Sequence, residues 1–148
     1  MGPAVARALA RVGPASLVPT RRNREGADAV ASQIRQAGGQ AAVFLSDLAD
    51  THAADATVTE AVRAFGGLDV LISNAGFADR TPFADLTDAA MAASVDGIQG
   101  AFFRLARAAI PHLRKGTDAR VVAVSSFVAH TYRTDVATFP ASAAAKAG

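Results

Sequence analysis

LDVLISNAGFA, residues 68–78, joins a short apolar run to a turn of asparagine, alanine and glycine. The run, Leu68, Val70, Leu71 and Ile72, is too short for a helix and reads as a strand; Asn74 and Gly76 then mark a tight turn. Three further runs rich in valine and leucine, at residues 15–18, 41–45 and 120–124, have the same character. Between the four strands lie stretches of helical period. Ala27, Val30 and Ile34 share one face, closed by Gly38 and Gly39; Val58, Ala61, Val62 and Phe65 share another, closed by Gly66 and Gly67. Met91, Val95, Ile98, Phe102, Leu105 and Ala109 form the longest stripe, stepping by four and three, with Thr87 as its N-cap and Pro111 near its end. Strand and helix in alternation predict an α/β chain with a parallel sheet. The pattern opens on a helix over residues 3–12, with Val5, Ala8 and Leu9 on one face and no strand before it, so the sheet is expected to lack a strand.

Composition narrows the class. A chain of 148 residues that is 51% hydrophobic can bury a core as one domain and is too apolar for disorder. Fifteen Lys and Arg against thirteen Asp and Glu give a net charge of +2, and the only basic cluster is Arg21, Arg22 and Arg24. That excludes a nucleic-acid footprint and leaves room for one phosphate. Without cysteine there is no disulfide and no thiolate metal site; His52, His112 and His130 lack ligand spacing, so no metal is expected. No apolar run approaches the ~18 residues of a membrane span. A soluble, cytoplasmic protein is the expectation.

In open parallel sheets ligands bind beyond the carboxyl ends of the strands. The residues there are Thr20, Arg21 and Arg22; Ser46, Asp47 and Leu48; Ser73, Asn74, Ala75 and Gly76; and Ser125 and Ser126. Each set alone reads as loop or cap. Together they are expected to line one edge of one sheet.

Four motifs in order, SDLAD (46–50), LDVLISNAGFA (68–78), VVAVSSFVA (121–129) and ASAAAKAG (141–148), resemble the short-chain dehydrogenase/reductase family. The resemblance implies a Rossmann-like, doubly wound parallel sheet. It places residues 1–148 within the family's middle portion, as one partial dinucleotide-binding domain. The family's first strand and its C-terminal strands are then missing, and only Met1 and Gly2 match its glycine-rich phosphate loop. Loss of a central strand leaves its two neighbours unpaired, free to close the gap, pair with another chain or stay partly unfolded.

By the same resemblance Ser126 polarises a substrate carbonyl or hydroxyl, and Lys146 holds the nicotinamide ribose and lowers the pKa of a tyrosine that acts as general acid. The chain departs from the family at that tyrosine. Four residues before Lys146 stands Ser142, and seven before it, where a second branch of the family has its tyrosine, stands Phe139. Tyr132, the single tyrosine, either supplies the phenol by another route or is an exposed loop aromatic. At the family's active-site asparagine stands Gly97, with Asp96 beside it, and that role is not carried over.

Asn74, Ala75, Gly76, Asp47 and Leu48 are expected to shape the cofactor pocket. Arg21 and Arg22 suit the 2′-phosphate of NADP rather than the 2′-hydroxyl of NAD. The expected activity is hydride transfer between NADP(H) and a small carbonyl or alcohol substrate, by a homo-oligomer in the full-length form. The alternative is a noncatalytic scaffold or dinucleotide-binding module that kept the fold and lost the acid.

Overall fold

The computed structural model describes residues 2–9 and 15–148. In chain order the elements are α1 (Gly2–Leu9), β1 (Ala15–Thr20), α2 (Arg24–Gln36), β2 (Gln40–Leu45), α3 (Ala53–Phe65) and β3 (Val70–Ser73). They continue with α4 (Asp88–Val95), a π-helical turn (Asp96–Gly100), α5 (Ala101–Leu113), β4 (Arg120–Ala123) and α6 (Pro140–Ala147). Of the opening helix expected over residues 3–12, the last three residues lie outside the described residues, as does Met1. Ala8 is exposed, and Ala6 instead packs on Val30 and Ile34 of α2.

Local chemistry sets the helix ends. The Asn23 side chain accepts the Gly26 N–H at 2.9 Å to start α2, and Thr87 accepts the Ala90 N–H at 3.2 Å to start α4. Gly66, at φ 79°, closes α3 in the left-handed conformation that glycine adopts without strain, its N–H donating to Val62 C=O at 2.8 Å. Pro140 occupies the first turn of α6, where its missing N–H costs nothing.

The strands pair in parallel as β1 with β2, from Ala15 opposite Gln40 to Thr20 opposite Leu45, and as β3 with β4, from Val70 opposite Arg120 to Ser73 opposite Ala123. Among the described residues these are two two-stranded sheets rather than one continuous sheet, as the expected absence of a central strand implies. Backbone orientation shows what is unpaired. Thr20 C=O accepts the Ser46 N–H, so alternate residues Thr20, Val18 and Ser16 face β2, whereas Leu17 and Pro19 face the free edge. Proline, which has no N–H to donate, is tolerated on such an edge. Asp69 and Ser73 C=O accept from Arg120 and Val124, so Val70 and Ile72 present their backbone groups to the free edge of β3.

Two cores match the two sheets. Val30 and Ile34 of α2 pack with Ala6, Val18 and Ala41. Ala54 and Val58 of α3 pack with Leu105, Ala109 and Leu113 of α5, and Leu71 brings β3 onto that cluster. Each large apolar side chain so buried contributes about 1.5–3 kcal/mol. Because α3 also packs on β1 and β2 while α5 packs on β3 and β4, the α3–α5 contact links the two sheets. No helix among the described residues is long and apolar enough to cross a membrane.

The long helical stripe runs differently from its expected course. The residues buried along it are Ser94, Ile98, Ala101, Leu105, Ala109 and Leu113, while Met91, Val95 and Phe102 are only half-buried. The π turn is the reason: the Ala101 N–H bonds to Asp96 C=O, five residues back, which shifts the helix face between α4 and α5. Arg104 braces this turn, its guanidinium donating to Asp96 Oδ1 at 2.7 Å and Asp96 C=O at 3.2 Å. A Cβ on Gly97 would stand 3.1 Å from the exposed Phe77 ring, which would have to shift by a few tenths of an ångström to admit it.

Candidate active site

Helix α6 carries Lys146 across the turn that follows β3. The Lys146 Nζ lies 3.1 Å from where a Cβ on Gly76 would be, so a side chain at 76 would displace the amine. Asn74, in the same turn, has a buried Oδ1 with no partner, and its Nδ2 lies 3.4 Å from the position of a Cβ on Gly2, at the start of α1. The end of β3, the start of α1 and the last turn of α6 therefore meet at one place. An unpaired buried acceptor and a close-approach glycine beyond the carboxyl end of β3, with the start of α1 beside them, fit a dinucleotide.

The position where the family resemblance asks for a tyrosine is buried. Ser142 is 3% exposed; its Oγ accepts the Asp79 N–H at 2.8 Å and donates to Phe77 C=O at 3.3 Å. Its hydroxyl is thus committed to the backbone of the loop after β3. Phe139 is half-buried, with the Arg80 guanidinium 5.7 Å from its ring centroid. In the same loop the Thr81 N–H donates to Asp79 Oδ1 at 2.9 Å, and that bond, with a second from the Thr81 hydroxyl, holds the Asp79 carboxyl below its ordinary range.

Beyond β4, Ser126 is half-buried on extended backbone. Its neighbour Ser125 donates to Lys146 C=O at 2.9 Å, and the Ser125 Oγ lies 3.1 Å from His130 Nε2. Tyr132 is 80% exposed and lines a cavity between the following loop and α6. The structure therefore brings Gly2, Asn74, Gly76, Lys146 and the Ser125–Ser126 corner together. It does not bring Arg21, Arg22 or Asp47 to that point. Both arginines are exposed in the connection from β1 to α2, and Asp47 is exposed after β2, capping the Ala49 N–H at 3.2 Å. Leu48 is half-buried against the α3–α5 core, its C=O accepting from Arg104 at 3.0 Å. Ala75 is exposed in the Asn74–Gly76 turn. Sequence reasoning passed over His130, having weighed the histidines for metal spacing alone, and nothing in the local sequence marks its bond to Ser125.

The whole chain, residues 1–148, matches the family profile described as short chain dehydrogenase. It is similar to cis-4-hydroxycyclohexanecarboxylate dehydrogenase of Sinomonas cyclohexanicum, 32% identical over 149 residues that cover 100% of this chain and 58% of that enzyme. It is also similar to L-rhamnose 1-dehydrogenase (NAD(P)(+)) of Azotobacter vinelandii, 33% identical over 133 residues, covering 87% of this chain and 52% of that enzyme. Among solved structures, a short chain dehydrogenase from Burkholderia cenocepacia J2315 in complex with NADP superimposes with a TM-score of 0.88 at 33% identity, over 97% of this chain and 57% of that one. A dehydrogenase/reductase from Sinorhizobium meliloti 1021 does so with a TM-score of 0.89 at 32% identity, over 97% and 56%. The chain spans about half the length of the curated relatives it matches.

Proposed function

Because the chain belongs to the short chain dehydrogenase family, we propose that it serves hydride transfer between NADP(H) and a small carbonyl or alcohol substrate. The observation that carries this reading is the approach of Lys146 Nζ to the Gly76 turn beside the unpaired Asn74 Oδ1. When bound, the nicotinamide supplies or accepts the hydride. Lys146 would hold its ribose, with Gly2, Asn74, Ala75 and Gly76 lining the turn against it, and Asp47 and Leu48 would border the adenine. Ser126 polarises the substrate oxygen. Arg21 and Arg22, exposed and without a carboxylate partner among the described residues, supply the charge for a 2′-phosphate. The cysteine-free composition supports a cytoplasmic setting. Exposed Phe103 and Ile110 on α5 support a homo-oligomer.

One observation favours a second reading, a dinucleotide-binding scaffold without turnover: the Ser142 hydroxyl is fully used by the backbone and has no proton to lend. Cofactor fluorescence, with oxidation of NADPH followed over a carbonyl panel, separates the two, since a scaffold binds and consumes none. In the same assay the double variant Arg21→Asp, Arg22→Ala should weaken NADPH about 10- to 100-fold, the worth of one or two charge-assisted hydrogen bonds, and favour NADH. Unchanged preference would remove both arginines from the cofactor site.

A further inference from the structure

We propose that His130 is the proton donor of this site, and that its substrate is a small uncharged apolar carbonyl compound held between the loop after β4 and α6. The inference rests on the function proposed above. The cavity there measures about 360 Å³, at the small end for ligand sites. Phe127, Val136, Phe139 and Pro140 form its apolar wall, and His130 and Tyr132 also line it. Its one lining residue of permanent charge, Arg133, is already paired with Asp135, Nε to Oδ1 at 2.9 Å. Nothing in the wall calls for a charged ligand. Ala143, which closes the cavity on the α6 side, lies three residues before Lys146 on neighbouring turns of one helix face. The cavity therefore lies about one helical turn from the lysine's position on α6.

The hydrogen bonds around Ser125 fix the imidazole. Ser125 has one proton and gives it to Lys146 C=O, so toward His130 its oxygen accepts, and the Nε2 must carry a hydrogen. Nδ1 is then the nitrogen that gains and loses a proton, and among the described residues no hydrogen bond occupies it. The other candidates fare worse: Ser142 has spent its proton, Phe139 has none, and no hydrogen bond among the described residues orients the Tyr132 hydroxyl. An imidazole with one nitrogen anchored and the other free can hand a proton to a substrate oxygen. As hydride from the reduced nicotinamide reaches the carbonyl carbon, the π pair moves to oxygen. The Nδ1–H bond then breaks, an O–H bond forms, and neutral His130 is reprotonated by water at its exposed side.

The test uses the full chain with NADPH and a panel of small ketones, with and without a carboxylate. His130→Ala should lower turnover by about 10² or more, leave the dissociation constant for NADPH unchanged, and recover part of the rate when imidazole is added. Independently of turnover, long-range ¹H–¹⁵N spectra should show the neutral His130 ring protonated at Nε2. A neutral ring protonated at Nδ1, or a His130→Ala chain as fast as wild type, overturns the proposal. So does a Tyr132→Phe variant that loses the rate His130→Ala keeps. Preference for carboxylate-bearing ketones overturns the substrate class. A wild-type chain that binds no NADPH overturns the underlying reading along with this one, whereas intact binding with an indifferent His130 overturns this one alone.

Discussion

Replacing Ser142 by alanine tests whether this residue is a structural tie between α6 and the loop after β3. The hydroxyl joins residues 63 and 65 positions apart in the chain, accepting the Asp79 N–H at 2.8 Å and donating to Phe77 C=O at 3.3 Å. The short bond carries most of the effect, because the second is near the limit of useful length. Its loss leaves the Asp79 amide facing a methyl group in a part-buried position. A stranded buried donor costs about 1–3 kcal/mol; with Phe77 exposed and water near, the lower part of that range, about 1–2 kcal/mol, applies. That cost equals a factor of about 5–30 in the local opening equilibrium. Amide hydrogen exchange read by NMR reports it at the Asp79 N–H, without requiring a cooperative global transition. Exchange at Asp79 should accelerate by that factor, with little change in the α2 amides. If it stays within about twofold of wild type, the Ser142 tie does not hold the loop and the argument from hydrogen-bond geometry fails.

Two further outcomes follow from the same neighbourhood. Gly76→Ala puts a Cβ 3.1 Å from the Lys146 Nζ, a flexible end that yields by a few tenths of an ångström. The melting temperature should stay within about 2 °C, while affinity for NADPH falls about tenfold, or ~1.4 kcal/mol; unchanged affinity would show that Lys146 does not border the cofactor. The Asp79 carboxyl, held low by the Thr81 N–H and then its hydroxyl, has a folded pKa below its unfolded one. Its contribution is therefore complete above the unfolded pKa and disappears as pH falls through the folded value. A carboxyl ¹³C titration should find its midpoint below that of free aspartate, with protection of the Thr81 amide lost over the same interval; a midpoint at or above the free value contradicts the bond.

Features set by neighbouring residues were legible in the sequence. Asn23 and Thr87 cap the helices they precede, the Gly38 and Gly66 turns end theirs, and the four strands stand where the valine-rich runs do. What the sequence did not disclose depends on distant partners. Strand pairing is a partial case: the missing family strand implied two unmatched neighbours, but nothing local to Leu17 or Ile72 marks theirs as the free edges. The helical stripe is another: steps of four and three suit a regular helix, and a single wider turn moves burial from Phe102 to Ala101 without altering the pattern as written. At the candidate site, the absent phenol was visible at Ser142, but the backbone groups that occupy its hydroxyl lie more than sixty residues away. His130 was overlooked because its significance comes from Ser125 and the cavity wall rather than from spacing.

The wide turn at Asp96–Gly100 makes chain length and angle one quantity. On its N-terminal side α4 packs on α6, which carries Lys146; on its C-terminal side α5 packs on α3 and the larger core. Each residue advances a helix by about 100°, so deleting one residue from the turn would restore an even α ladder and swing one half by roughly that angle against the other. Were α5 to keep Leu105 and Ala109 in the core, α4 would carry Ser94 out of its buried position; were α4 to hold, the core would lose its side of α5. An exposed loop absorbs an insertion or deletion by changing shape, but here a single codon gained or lost would be read as a rotation between the lysine's helix and the core that supports it.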